Sequence, residues 1–238
     1  MRKLVFFDTE TTGNTEKDFL VQVAFKTSGN TFTELYKPEI KIPPEASAVH
    51  HITNKMVADK PTFKESTDQP IIKKLFEAED FIVVAHNAPF DLMIIEKEDI
   101  KPPKFICTLR VARELDPEGK IARYNLQYLR YLLDLDVTAT AHDALGDVLV
   151  LEKLFERLKN KIMSEQKLSE DEAIDKMVEI SSHPSLFRTM NFGKHNGKKI
   201  EEVLKSDRGY LEWLLAQKLE SDQIEDDWIY TLQHHLNK

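Results

Sequence analysis

Lys3-Leu4-Val5-Phe6-Phe7-Asp8-Thr9-Glu10-Thr11-Thr12-Gly13 is the stretch around which the rest of the chain is organised. Four large apolar residues in a row predict a strand buried on both faces, and Thr-Thr-Gly after the acidic residues predicts its exit turn. Side chains two apart on a strand share a face, so Asp8 and Glu10 project together from one side of the sheet. Two carboxylates so placed attract a hard divalent cation. The segment by itself also admits a polar turn after a core strand.

At 238 residues the chain can bury one large core, or a medium domain plus a small one. A net charge of −8 at pH 7 argues against a broadly basic nucleic-acid binder and leaves room only for local basic patches. Acidity is compatible with a metal-dependent nuclease, because bound cations invert the charge of a carboxylate cluster. The lone cysteine, Cys107, cannot form an internal disulfide, which suits a reducing compartment. Met1-Arg2-Lys3 has the charge of a signal-peptide start, but the apolar run after it is cut at Asp8. No stretch is long enough to span a bilayer. The expectation is a cytoplasmic protein with no membrane association.

Outward from the opening strand, residues 19–27 (FLVQVAFKT) and 31–37 (TFTELYK) predict two more strands joined through Ser28-Gly29-Asn30 as a hairpin. Pro38 and the pair Pro43-Pro44 are expected to break regular structure before Val49-His50-His51-Ile52-Thr53. Adjacent histidines diverge on a helix or a strand, and no third ligand stands at zinc-like spacing, so a surface turn or nucleotide-contacting loop is the better reading. Residues 70–79 predict a helix, and Phe81-Ile82-Val83-Val84-Ala85 a fully buried strand. In the following His86-Asn87-Ala88-Pro89-Phe90-Asp91, Asn87 is a candidate N-cap and Pro89 is tolerated in a first turn, so Asp91 falls one turn into a helix. Residues 105–108 predict a short strand with Cys107 as a small buried hydrophobe, and 125–133 a helix. Ala141-His142-Asp143-Ala144-Leu145-Gly146-Asp147 opens a helix running toward Asn160. His142 and Asp147 converge only if His142 lies in the preceding loop, with Asp143 or a neighbour as the N-cap. Ser169 and Glu172 form a capping-box pattern for a helix through Ile180.

Taken in order, D-T-E-T-T-G with Asp8 and Glu10, H-N-A-P-F-D with Asp91, and H-D-A-L-G-D with His142 and Asp147 resemble the DEDDh exonucleases of the DnaQ-like superfamily. Val49 to Thr53 and Tyr124-Asn125-Leu126 add supporting matches, and the resemblance spans roughly residues 1–180. It implies an α/β, RNase H-like fold: a mixed central sheet flanked by helices, with a small C-terminal module behind it. It also implies a 3′-to-5′ exonuclease using two divalent cations, Mg²⁺ or Mn²⁺. Asp8, Glu10 and Asp147 would hold the first, Asp8 would bridge to the second, and Asp91 would support the second. His142 is the natural general base, since a pKa near 6.5 suits proton uptake at neutral pH. By the same resemblance Thr9, Thr11 and Thr12 are candidate donors near the scissile end, and Asn87, Phe90 and His51 are candidate substrate contacts; Phe90 and Asn87 equally suit a core position and a cap. Gln22 has no clear role.

A break near Ser181-Ser182-His183-Pro184 divides the chain into residues 1–182 and 183–238, and both tryptophans, Trp213 and Trp228, lie beyond it. A P-loop reading of Gly193 to Lys199 fails, because only three residues separate Gly193 from Gly197 and Lys199 stands where Ser or Thr belongs. The segment instead resembles the F-G-K-x-x-G-K module of exonuclease X-like proteins. Lys194, Lys198 and Lys199 are its candidate phosphate contacts, and Tyr210, Trp213 and Leu214 its expected core. The expected partner is the 3′ end of single-stranded DNA, with a polymerase or repair partner compatible. Alternatives are an RNA 3′-end trimmer and a non-catalytic nucleic-acid-binding protein on the same fold.

Overall fold

The computed structural model describes residues 2–137 and 144–237. Its centre is a five-stranded sheet of β1 (Lys3–Thr11), β2 (Leu20–Lys26), β3 (Thr31–Leu35), β4 (Phe81–Ala85) and β5 (Phe105–Cys107), in the order β3-β2-β1-β4-β5. The first three strands form an antiparallel meander, while β4 and β5 join β1 in parallel, so the sheet is mixed. The hairpin closes where expected, with Thr27 N–H donating to Asn30 C=O at 2.8 Å.

The pleat of β1 divides the core. Phe6 packs edge-on against Phe155 at a centroid distance of 5.3 Å, and Phe7 against Phe76 at 5.1 Å on the other side. Phe155 belongs to α6 (Ala144–Gln166), which with α4 (Thr108–Glu114), α5 (Leu126–Leu132) and α7 (Glu170–Ser181) covers one face. Phe76 belongs to α2 (Gln69–Phe76), which shares the opposite core with α3 (Ala88–Lys97). Asn125 caps α5 by accepting from Tyr128 N–H at 2.8 Å, and Ser169 with Glu172 completes the capping box of α7.

Two helices of the sheet domain go beyond the sequence expectation. Pro44, expected to break structure, instead occupies the first turn of α1 (Pro44–His50), where a missing N–H costs nothing. The short helix α4 follows β5 directly, its buried Leu109, Val111 and Ala112 drawn into the core by contacts distant in sequence. Asn87 also differs from expectation: it precedes α3 in the left-handed region at φ 65°, with no side-chain capping bond.

The chain continues through a single 3₁₀ turn (Gly193–His195) into α8 (Ile200–Ser206), α9 (Arg208–Leu219) and α10 (Asp226–Leu236). Their apolar cluster contains Met190, Ile200, Val203, Leu211, Leu214, Trp228 and Leu232, and none of its members comes from the sheet cores. Leu214 is buried as expected, but Trp213 is 53% exposed. It lies on the face of α9 turned from the cluster, whose apolar members Leu211, Leu214 and Leu215 are set by the packing of α8 and α10. Asp227 fastens the module to α4, pairing with Arg110 at 3.2 Å and with Arg113. No helix among the described residues is long and apolar enough to cross a membrane.

Candidate active site

Because Phe6 faces α6 and side chains alternate, Asp8 and Glu10 continue the same row toward that helix. Asp147 meets them from the first turn of α6. Oxygen atoms of Asp8, Glu10 and Asp147 lie within 4.8 Å of one another. Three carboxylates this close repel one another unless a cation lies between them, and an all-oxygen donor set is what hard divalent ions prefer. The residues present therefore fit a divalent metal.

Asp91 stands apart from this trio. It is 3% exposed, and its Oδ1 accepts from Thr9 N–H at 3.1 Å and from Thr9 Oγ1 at 2.7 Å. Thr9 belongs to the other row of β1, so α3 brings Asp91 to the strand where its pairing with β4 has run out, after Phe6 and Val84. Burial pushes the Asp91 carboxyl well above the usual carboxylate range, against the opposing effect of the Thr9 hydrogen bonds. His142, with Asp143, lies outside the described residues.

The other candidate contacts are placed as follows. Thr11 Oγ1 donates to Gly13 C=O, and Thr12 Oγ1 donates to Asp18 at 2.8 Å while accepting from Phe19 N–H at 3.0 Å. These hydroxyls hold the turn after β1. Asn87 is exposed, and Phe90 is half-buried against the α3-side core. His51 is exposed at φ 63°, where it ends α1, whereas His50 is buried with Nδ1 accepting from Ile52 N–H at 3.0 Å. The two histidines diverge and form no metal pair. Lys194 is engaged within the tail, 2.7 Å from Asp207 and 4.8 Å from the Tyr210 ring centre, while Lys198 and Lys199 are exposed.

Two residues to which the sequence reading gave no role support the site, His86 from within the H-N-A-P-F-D motif and Gln127 from outside any motif. Gln127, on α5, donates from Nε2 to Asp147 Oδ1 at 2.5 Å and accepts from Arg130 at 3.2 Å. His86 contacts Thr108 Oγ1 through Nδ1 at 2.9 Å and Tyr124 C=O through Nε2 at 2.7 Å. The carbonyl only accepts, so Nε2 carries the proton and Nδ1 accepts from the threonine hydroxyl. His86 thereby joins the turn before Asp91 to the segment before Gln127. Burial pushes its pKa down to about 4, opposed by the Tyr124 carbonyl and reinforced by Arg113.

The fold and the carboxylate cluster define an RNase H-like nuclease class, and comparison with known proteins narrows it. A family model described as "Exonuclease" matches residues 5–155, and one described as "Exodeoxyribonuclease X-like C-terminal" matches residues 190–218. Exodeoxyribonuclease 10 of Escherichia coli strain K12 is 32% identical over 87% of this chain and 85% of its own length. The DNA polymerase III subunit epsilon of the same organism is 31% identical over 63% of this chain and 69% of its own. Among solved structures, exonuclease X in complex with 5′ overhanging duplex DNA superposes with a TM-score of 0.57 and 29% identity, covering 75% of this chain and 99% of that one. The chain belongs to the exonuclease family. It is an enzyme of the 3′-to-5′ exonuclease class, and that membership, with the acidic cluster, implies dependence on a divalent metal.

Proposed function

We propose that this chain hydrolyses phosphodiester bonds from the 3′ ends of single-stranded DNA, releasing 5′-mononucleotides in DNA repair or proofreading in the cytoplasm. The observation that carries this reading is the convergence of Asp8, Glu10 and Asp147 at the end of β1. Its setting supports DNA as substrate, since the chain aligns over most of its length with an exodeoxyribonuclease. The likeness to a polymerase subunit supports a polymerase or repair partner.

In this reading Asp8, Glu10 and Asp147 would hold one of two cations, Mg²⁺ or Mn²⁺, and Asp8 and Asp91 would serve the second. When bound, such cations stabilise charge on the attacking and leaving oxygens of an in-line displacement. His142, as neutral imidazole, takes the proton of the attacking water. Gln127 fixes the rotation of the Asp147 carboxylate, and the Thr9 hydrogen bonds fix that of Asp91.

Incubation with end-labelled DNA and RNA of equal sequence, with Mg²⁺, with Mn²⁺ and with chelator, tests the reading. The expected result is metal-dependent release of mononucleotides from DNA 3′ ends. Faster release from RNA would reassign the substrate, and no release from either would overturn the function.

A further inference from the structure

A cleft of roughly 1080 Å³ lies between the C-terminal module and the sheet domain. Its near wall carries Asn87 and Pro89 from the start of α3 and the segment Arg123-Tyr124-Asn125; its far wall is formed by residues 185–191 and 224–228. The near wall is joined along the chain to elements of the active site. Asn87 precedes the helix bearing Asp91, and Asn125 caps the helix bearing Gln127, the partner of Asp147.

Most ionic groups along the cleft are already matched. Asp227 takes Arg110 and Arg113, Asp116 accepts from the Tyr124 hydroxyl and backbone N–H groups, and Glu225 pairs with Lys218 at 2.5 Å. Arg123 on the near wall and Arg188 on the far wall are different. Both are exposed, and neither side chain has a hydrogen bond or ion pair among the described residues. Arg113 Nε and Ser185 Oγ, on residues bordering the cleft, are buried without hydrogen-bond partners among the described residues.

We propose that this cleft holds the phosphodiester backbone of the substrate strand on the 5′ side of the scissile nucleotide, with Arg123 and Arg188 meeting phosphates from opposite walls. The proposal rests on the single-strand exonuclease reading above. A guanidinium presents a fork of donors that matches phosphate oxygens, and a single strand is a flexible row of such acceptors. Lys194, by contrast, is already committed to Asp207. Glu114 and Asp226, exposed and without an ion-pair partner among the described residues, border the same cleft and oppose a polyanion there.

The test is binding of a 5′-labelled single-stranded oligothymidylate to the full chain in chelator, followed by fluorescence anisotropy over a range of salt concentrations. Arg123→Ala and Arg188→Ala should each weaken binding about three- to tenfold and reduce the slope of log K against log salt by about 0.7, the loss of one phosphate contact. Glu114→Gln should tighten binding. Lys153→Ala, an exposed charge on α6 away from the cleft, controls for net charge and should change neither quantity. Parental affinity and slope in both arginine variants, or equal weakening by Lys153→Ala, would overturn the proposal, as would a loss confined to blunt duplex DNA. Binding in chelator is separate from hydrolysis: a parent chain that cleaves DNA with unaffected arginine variants refutes only the cleft, whereas a parent that cleaves nothing refutes the proposed function.

Discussion

Removing the Asp147 carboxylate has opposite effects with and without metal. Without a cation it relieves repulsion within the trio, so the thermal midpoint of the metal-free protein should not fall. With a cation it deletes a proposed ligand, so Asp147→Ala should abolish hydrolysis and should lack the upward shift of the midpoint expected when Mn²⁺ is added to the parent. Activity within a few-fold of the parent would remove Asp147 from the metal site. Gln127→Ala leaves every proposed ligand in place but frees the Asp147 carboxylate to rotate. It should lower metal affinity or rate by about 10- to 100-fold, read from activity titrated against Mn²⁺ concentration, whereas an unchanged titration would make the contact incidental. His142→Ala should slow the chemical step by about 10² to 10⁴ and flatten the rise of rate with pH near neutrality. A variant with the parental pH profile and rate would exclude His142 as the base.

Between elements, the His86 ring joins the β4–α3 turn to the segment leading into α5. Its folded pKa of about 4 lies below the unfolded value near 6.5, so the unfolded chain binds a proton that the native state refuses. The neutral ring's contribution is therefore intact above pH 6.5 and lost as pH falls toward 4. The full shift corresponds to about 3 kcal/mol, less whatever residual solvent access removes. Urea unfolding at pH 7 and at pH 4.5 should show this loss in the parent, and His86→Gln should show a smaller drop between the same two conditions. An identical drop in both proteins would assign the acid sensitivity to other groups.

Across the molecule, Asp227 is the ion-pair partner through which the C-terminal module holds α4, with Arg110 and Asp227 side chains 7% and 16% exposed. Asp227→Ala leaves two enclosed guanidinium groups without their counter-charge and Ser185 N–H without its acceptor. A cost of about 3 kcal/mol in urea unfolding is expected, and a change below a few tenths would show that water replaces the pair. Ending the chain at Ser182 is a different perturbation, because it opens Arg110 and Arg113 to water. The two sheet cores contain no residue beyond position 180. Such a chain should therefore retain cooperative unfolding by circular dichroism, and a broad, non-cooperative transition would show that the module is needed to complete the fold.

The sequence by itself determined the elements whose signals are local: the apolar run of β1, the Ser28-Gly29-Asn30 hairpin, the buried runs of β4 and β5, and the Ser169–Glu172 capping box. These depend on backbone periodicity and on hydrogen bonds spanning a few residues, which neighbouring side chains specify. The shared direction of Asp8 and Glu10 is of the same kind, since the pleat dictates it. The resemblance implied that Asp147 joins that row; only the tertiary structure decided that Asp91 contacts Thr9 in the other. It also decided that Gln127 reaches Asp147, that α4 forms directly after β5, that Trp213 faces solvent and that Lys194 is spent on Asp207. Each depends on which surfaces meet when helices from distant parts of the chain pack against the sheet and each other, and that choice is settled by burial of the whole core rather than by any window of sequence.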